Sequence, residues 1–207
     1  MRRQHYLASG LLFVAVIAAA AVPDAADKVT PVSVGSTAPV FVAKEVDGRE
    51  FRFDPAAQTK PTMIIFYRGG WCPYCNAQLQ DLHEVEPEIV SMGYQVLFLS
   101  TDQPKLLYSS LKEKVNYHIL SDNDMNAAHA FHVAYHVDDA TLEKMKSFGV
   151  DLDAAQGSSQ HELPVPSVFI IDTHGVIRFR HFDPNYTVRL DAGHVLEAAK
   201  ANLAHTH

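Results

Sequence analysis

The chain has 207 residues, with 24 acidic against 17 basic side chains and a formal net charge of −7. That balance, and the absence of any run of Lys and Arg, argue against a nucleic-acid partner. Arg2 and Arg3 precede an apolar stretch from Leu7 to the small residues Ala19-Ala20-Ala21. This is the pattern of a secretory signal peptide over residues 1–21, and it implies a periplasmic or secreted protein. Membrane attachment is expected only if that segment stays uncleaved. Removing it leaves about 185 residues, enough for one domain with one core.

Residues 22–38 are small and polar and read as a linker into a domain spanning 39–204, followed by a short tail at 205–207. Asp47-Gly48, between two β-prone runs in Val40–Phe53, predicts an N-terminal β-hairpin. Thr62–Tyr67 is a continuous apolar, β-branched and aromatic run, the pattern of a buried strand. A helix is predicted from Pro73 to about Met92, with Leu79, Leu82, Val85 and Ile89 on one face. Pro87 should kink or split it near Glu86. Gln95–Ser100 predicts a second buried strand, and Pro104 the start of a helix to about Lys114. His118–Leu120 reads as a short strand and Met125–Tyr135 as a helix. His129, His132 and His136 fall at helix-like spacing and would form a solvated helix face, one outcome of a composition with twelve histidines. Asp138–His161 breaks the rhythm and is expected to be an insertion containing one helix. Ser167–Asp172 and Val176–Phe182 predict a last hairpin with Gly175 at the turn. Asp191 should cap a final helix to about Ala204. The order implies an α/β fold, a central mixed sheet flanked by helices.

The two cysteines, Cys72 and Cys75, lie in Trp71-Cys72-Pro73-Tyr74-Cys75, where a strand end meets a helix start. Unpaired N–H groups and the helix dipole at that junction favour a thiolate over a thiol. Pro73 suits the first helical position because its missing N–H would be unpaired there anyway. A purely structural disulfide would be a poor use of this spacing. Closing a four-residue loop constrains the unfolded chain by roughly 2 kcal/mol, against about 4.7 for a hundred-residue loop. A zinc half-site would need further ligands, and no second CxxC or HxxxH completes it. The pair therefore points to redox chemistry, with no cofactor beyond a redox-active Cys72–Cys75 disulfide and no metal.

The chain resembles the thioredoxin-fold superfamily, in its peroxiredoxin-like (AhpC/TSA, redoxin) branch. The resemblance rests on Val34-Gly35-Ser36-Thr37-Ala38-Pro39 with Asp47-Gly48, on Phe66 to Cys75, and on Val165 to Asp172 with Gly175. It implies a thioredoxin-like fold, with the hairpin at the amino-terminal end and the insertion before the last hairpin. On a peroxiredoxin frame Cys75 takes the peroxidatic position, while Arg68, Cys72 and Pro166 stand where the proline, threonine and arginine of such enzymes are found. On a thioredoxin frame Pro166, after Val165, matches the cis-proline that faces the CxxC and shapes a substrate groove. The buried acid of thioredoxins is replaced by Phe66.

The resemblance leaves three functions open. The first is an exported thiol-disulfide oxidoreductase in which Cys72 attacks and Cys75 resolves, with Arg68 supporting the thiolate and Trp71, Val165 and Pro166 lining the groove. Cys72 is there expected to be the more acidic and more accessible thiol. The second is a thiol peroxidase with Cys75 peroxidatic and Cys72 resolving. The third is a non-enzymatic redox sensor or binding module. The expected partners are a protein disulfide or a peroxide as substrate, and a thiol-redox donor.

Overall fold

A computed structural model describes residues 21–107 and 117–203. All but one residue of the expected signal peptide, the helix expected after Pro104 beyond its first turn (α2, Pro104–Leu107), and the tail lie outside the described residues.

The sheet has seven strands: β1 (Phe41–Lys44), β2 (Glu50–Phe53), β3 (Thr62–Tyr67), β4 (Gln95–Ser100), β5 (His118–Ser121), β8 (Ser167–Ile171) and β9 (Ile177–Phe182), in the order β2-β1-β5-β4-β3-β8-β9. Strand β3 is parallel to β4 and antiparallel to β8, so the sheet is mixed. All six residues of β3 are buried, as expected of a strand covered on both faces. Its alternation sorts them between two layers. Ile64 and Phe66 join Leu97, Leu99, Phe169 and Phe131 on one face. Met63, Ile65 and Tyr67 join Phe98, Val168, Ile170 and both cysteines on the other. On that second face lie the helices α1 (Pro73–Ser91) and α6 (Ala192–Asn202).

Helix α1 runs unbroken through Pro87, so the expected split does not occur. The proline is exposed and near the carboxyl end, while Leu82 and Ile89 on either side are buried in the core and hold the helix together. The Asp191 carboxylate accepts from the His194 amide and caps α6, as the sequence suggests. Gly175, at φ 76°, makes the turn between β8 and β9.

Three expectations are corrected. The region expected as one helix over Met125–Tyr135 is a five-residue helix α3 (Asn126–Ala130) followed by a strand β6 (Ala134–His136). Met125 and His132 adopt positive φ and interrupt the helical backbone. Strand β6 pairs with β7 (Glu162–Pro164), so His129, His132 and His136 share no helix face. The insertion holds two helices rather than one, α4 (Asp139–Ser147) and α5 (Leu152–Gln156). Finally, part of the linker is fastened to the domain. The Gly35 amide donates to the Ile177 carbonyl at 2.8 Å, and Arg180 Nη1 donates to the Pro31 and Val32 carbonyls at 2.8 and 2.9 Å.

Candidate active site

The dithiol stands at the carboxyl end of β3, on a loop fastened by the end of β4. Thr101 Oγ1 donates to the Arg68 carbonyl at 2.7 Å. Asp102 Oδ2 accepts from the Gly70 amide at 2.6 Å. Within the loop, Gly69 is required for space. A Cβ there would lie 2.3 Å from Trp71 Nε1 and 2.8 Å from Asp102 Oδ1. Its absence lets the indole fold back over the loop.

Cys72 is the N-cap of α1 and Pro73 the first helical residue. The Cys72 carbonyl accepts from the amides of Cys75 and Asn76, both at 3.1 Å, which starts the helix. Both cysteines are free thiols and both are buried, Cys72 at 1 % and Cys75 at 0 % exposure. Cys72 is thus not the accessible thiol that the sequence suggests. A segment from the chain's far end covers it, the connection between β9 and α6.

That segment supplies two residues that sequence reasoning missed. Arg189 Nη2 lies 3.3 Å from Cys75 Sγ and 4.0 Å from Cys72 Sγ. Tyr186 stacks over the Arg68 guanidinium at 4.2 Å and meets the Tyr74 ring edge-on at 5.8 Å. Arg68 is itself buried, with its guanidinium 5.1 Å from the Trp71 ring centroid on top of the Tyr186 contact. From β6, Tyr135 lies close enough for Arg68, Tyr186 and Cys72 to act electrostatically on its hydroxyl. No pattern around Tyr186 or Arg189 marked them as partners of residues more than a hundred positions earlier in the sequence.

The thiols are electrostatically unequal. A hydrogen bond from Cys75, the Cys75 amide, and the charges of Arg68 and Arg189 together pull Cys72 down to about 6, against the opposing effect of burial. Cys75 moves the other way. Burial and the adjacent Cys72 raise it, and the nearby Arg189 offsets this only in part. Burial also pushes the Asp102 carboxyl up, against hydrogen bonds from the Gly70 amide and the Ser100 hydroxyl.

Arg68, Trp71, Cys72 and Cys75 are thus brought together. Val165 and Pro166 depart from the expected groove. No cis peptide bond occurs among the described residues, so Val165–Pro166 is trans. Pro164 pairs with Ala134 on one side, and Ser167 pairs with Phe66 and Phe182 on the other, which keeps the chain extended between β7 and β8. A trans proline suits that extended passage. The Val165 amide already donates to the Val133 carbonyl at 2.8 Å, and its carbonyl accepts from Ser167 Oγ at 2.7 Å. The backbone edge expected to receive an extended substrate is therefore occupied within the chain.

The profile of the AhpC/TSA family matches residues 34–180. Among curated proteins, the chain is 25% identical over 151 residues to the thiol-disulfide oxidoreductase ResA of Geobacillus thermodenitrificans, covering 72% of this chain and 69% of that protein. It is 32% identical over 104 residues to the peroxiredoxin Bcp of Escherichia coli, covering 50% of this chain and 66% of that one. Among solved structures, a peroxiredoxin-like protein from Aquifex aeolicus superposes with a TM-score of 0.62 at 20% identity, covering 83% of this chain and 88% of the other. The last match, at so low an identity, speaks for the thioredoxin-like fold alone. With the family profile spanning the hairpin, the dithiol loop and the strands that carry them, this chain belongs to the AhpC/TSA family.

Proposed function

We propose that this protein is a thiol-disulfide oxidoreductase that works through Cys72 and Cys75. The observation that carries this reading is the placement of the two thiols: Cys72 is the N-cap of α1 with Arg68 and Arg189 nearby, and Cys75 lies inside the first turn and is fully buried, which favours the thiolate at Cys72 and the thiol at Cys75. An exchange enzyme needs that division. The Cys72 thiolate attacks one sulfur of a substrate disulfide, a mixed disulfide forms, and one substrate thiolate leaves. Cys75 then attacks the Cys72 sulfur, closes the Cys72–Cys75 disulfide and releases the second substrate thiol. The similarity to ResA supports the same chemistry. The relatives are enzymes of thiol redox chemistry, so the sensor or binding-module reading is set aside.

Peroxide reduction by Cys75 is the second reading, and the similarity to Bcp is the observation in its favour. Against it stands the buried, protonated state of Cys75, since the thiolate is the form that attacks. Export to the periplasm or outside the cell belongs to the same proposal and rests on the leader pattern of residues 1–21. No helix among the described residues is long and apolar enough to cross a membrane.

The test is a comparison of turnovers by the reduced full chain supplied with dithiothreitol as donor. Reduction of a protein disulfide such as that of insulin should outpace reduction of hydrogen peroxide at equal substrate concentration. Peroxide turnover as the faster reaction would reverse the assignment.

A further inference from the structure

Cys75 poses a chemical problem that the exchange cycle must solve. To resolve the mixed disulfide it has to become a thiolate, in a site where burial opposes charge. The reduced state offers it a partner, because its S–H donates to the Cys72 thiolate. That acceptor disappears once the Cys72 sulfur is bonded to substrate. Phe66, which stands where the resemblance to thioredoxin would place a buried acid, has no group that can take a proton.

The geometry points to Arg189 as a catalytic residue of the resolving step, stabilising the Cys75 thiolate as it forms. This inference rests on exchange through Cys72. Arg189 Nη2 is 3.3 Å from Cys75 Sγ and 4.0 Å from Cys72 Sγ, so one guanidinium faces both sulfurs and lies nearer the one that must ionise second. Its other nitrogens, Nε and Nη1, are buried without a hydrogen-bond partner. Among the described residues no carboxylate forms an ion pair with it, so its charge is not spent elsewhere. A cation beside a buried sulfur favours the thiolate over the thiol, and more strongly there than in water.

The charged and titratable groups around Cys75 are Cys72 of α1, Tyr67 of β3, Arg68 of the dithiol loop and Arg189. In the mixed disulfide Cys72 is neutral. Tyr67 is buried and its hydroxyl is pushed well above its usual value, so it stays neutral too. The guanidinium of Arg68 is sandwiched between the Trp71 and Tyr186 rings. Arg189 remains the cation in contact with the Cys75 sulfur. The step balances without another reagent. The Cys75 S–H bond breaks, a Cys72–Cys75 S–S bond forms, and the bond from Cys72 to substrate sulfur breaks. The departing substrate thiolate takes the proton. The dithiol is oxidised by two electrons and the substrate disulfide is reduced by two.

Rapid mixing of the reduced full chain with equimolar dithiodipyridine tests this, because the reagent is neutral and each thiopyridone released is read by absorbance. The first release reports attack by Cys72 and the second reports resolution by Cys75. Arg189→Gln should slow the second release about tenfold and move its pH midpoint upward by about one unit, while the first stays within about threefold. Arg189→Lys, which keeps the charge, should recover most of the second rate. An unchanged second release in Arg189→Gln overturns the assignment, as does parallel slowing of both releases that Arg189→Lys fails to rescue. If the Cys75→Ser protein gives no first release, exchange through Cys72 fails, and the role of Arg189 falls with it. That failure differs from a native first release followed by a second that ignores Arg189.

Discussion

Replacing Cys75 by serine should turn the protein into a trap. Cys72 would still attack a substrate disulfide, but no thiol would remain to resolve the product, so mixed disulfides through Cys72 should accumulate to about one per chain. The reciprocal change, Cys72→Ser, should reduce exchange to the uncatalysed background and trap almost nothing. The asymmetry follows from the site. Cys72 caps α1, accepts a hydrogen bond from Cys75 and has two arginines nearby. Cys75 is a full helical turn inside and fully buried. Non-reducing gels of the two variants incubated with a disulfide-bonded protein, followed by mass mapping of the linked peptides, read the difference.

The pH dependence of the reduced protein should show a second large effect. A free thiol near 8.5 is only about 3% ionised at pH 7, whereas one lowered to about 6 is roughly nine-tenths ionised. Following thiolate ultraviolet absorbance, one group should titrate at least about two units below a free cysteine. The second should not ionise while the protein stays folded. Stability must follow. The thiolate of Cys72 contributes fully above its unfolded value, near 8.5, and the contribution is lost as pH falls through about 6. Cys75 acts oppositely. Its folded form resists ionisation, so stability declines again once the unfolded chain ionises it above about 8.5. The melting temperature of the reduced protein should therefore fall from pH 8 to pH 5 by more than that of Cys72→Ser. Equal slopes for the two proteins would remove the electrostatic account of Cys72.

What could be read in the sequence was what local pattern controls. The all-apolar run Thr62–Tyr67, Pro73 at a helix start, and Asp191 ahead of a helix each announce their structure within a few residues. The hairpins followed from Asp47-Gly48 and from Gly175. The errors lie where distant partners decide. The stretch Met125–Tyr135 reads as one helix, yet Ala134 and Tyr135 belong to a strand. Their actual state is set by Leu163 and Pro164, which pair with Tyr135 and Ala134 across the whole insertion. Pro166 matched a cis-proline by motif, but the hydrogen bonds of Val165 to Val133 and Ser167 hold an extended trans passage. Cys72, Cys75, Arg68 and Trp71 were legible because they are adjacent in sequence. Arg189 and Tyr186 were not. Arg189 reaches Cys75 across 114 residues and Tyr186 reaches Arg68 over a similar gap, through a segment whose own sequence has no strong pattern. The burial of Cys72 went unseen for the same reason, since that distant segment covers it.

The central claim, that Cys72 and not Cys75 is the nucleophile, meets its most direct test in the Cys72→Ser protein exposed to one equivalent of hydrogen peroxide. In that protein the burial of Cys75 still opposes its thiolate. Sulfenic-acid capture with dimedone, read by intact mass, should find Cys75 almost entirely unmodified on the timescale at which the native chain completes exchange with a disulfide. Rapid, stoichiometric formation of a sulfenic acid on Cys75 would contradict the account and make the chain a peroxidase.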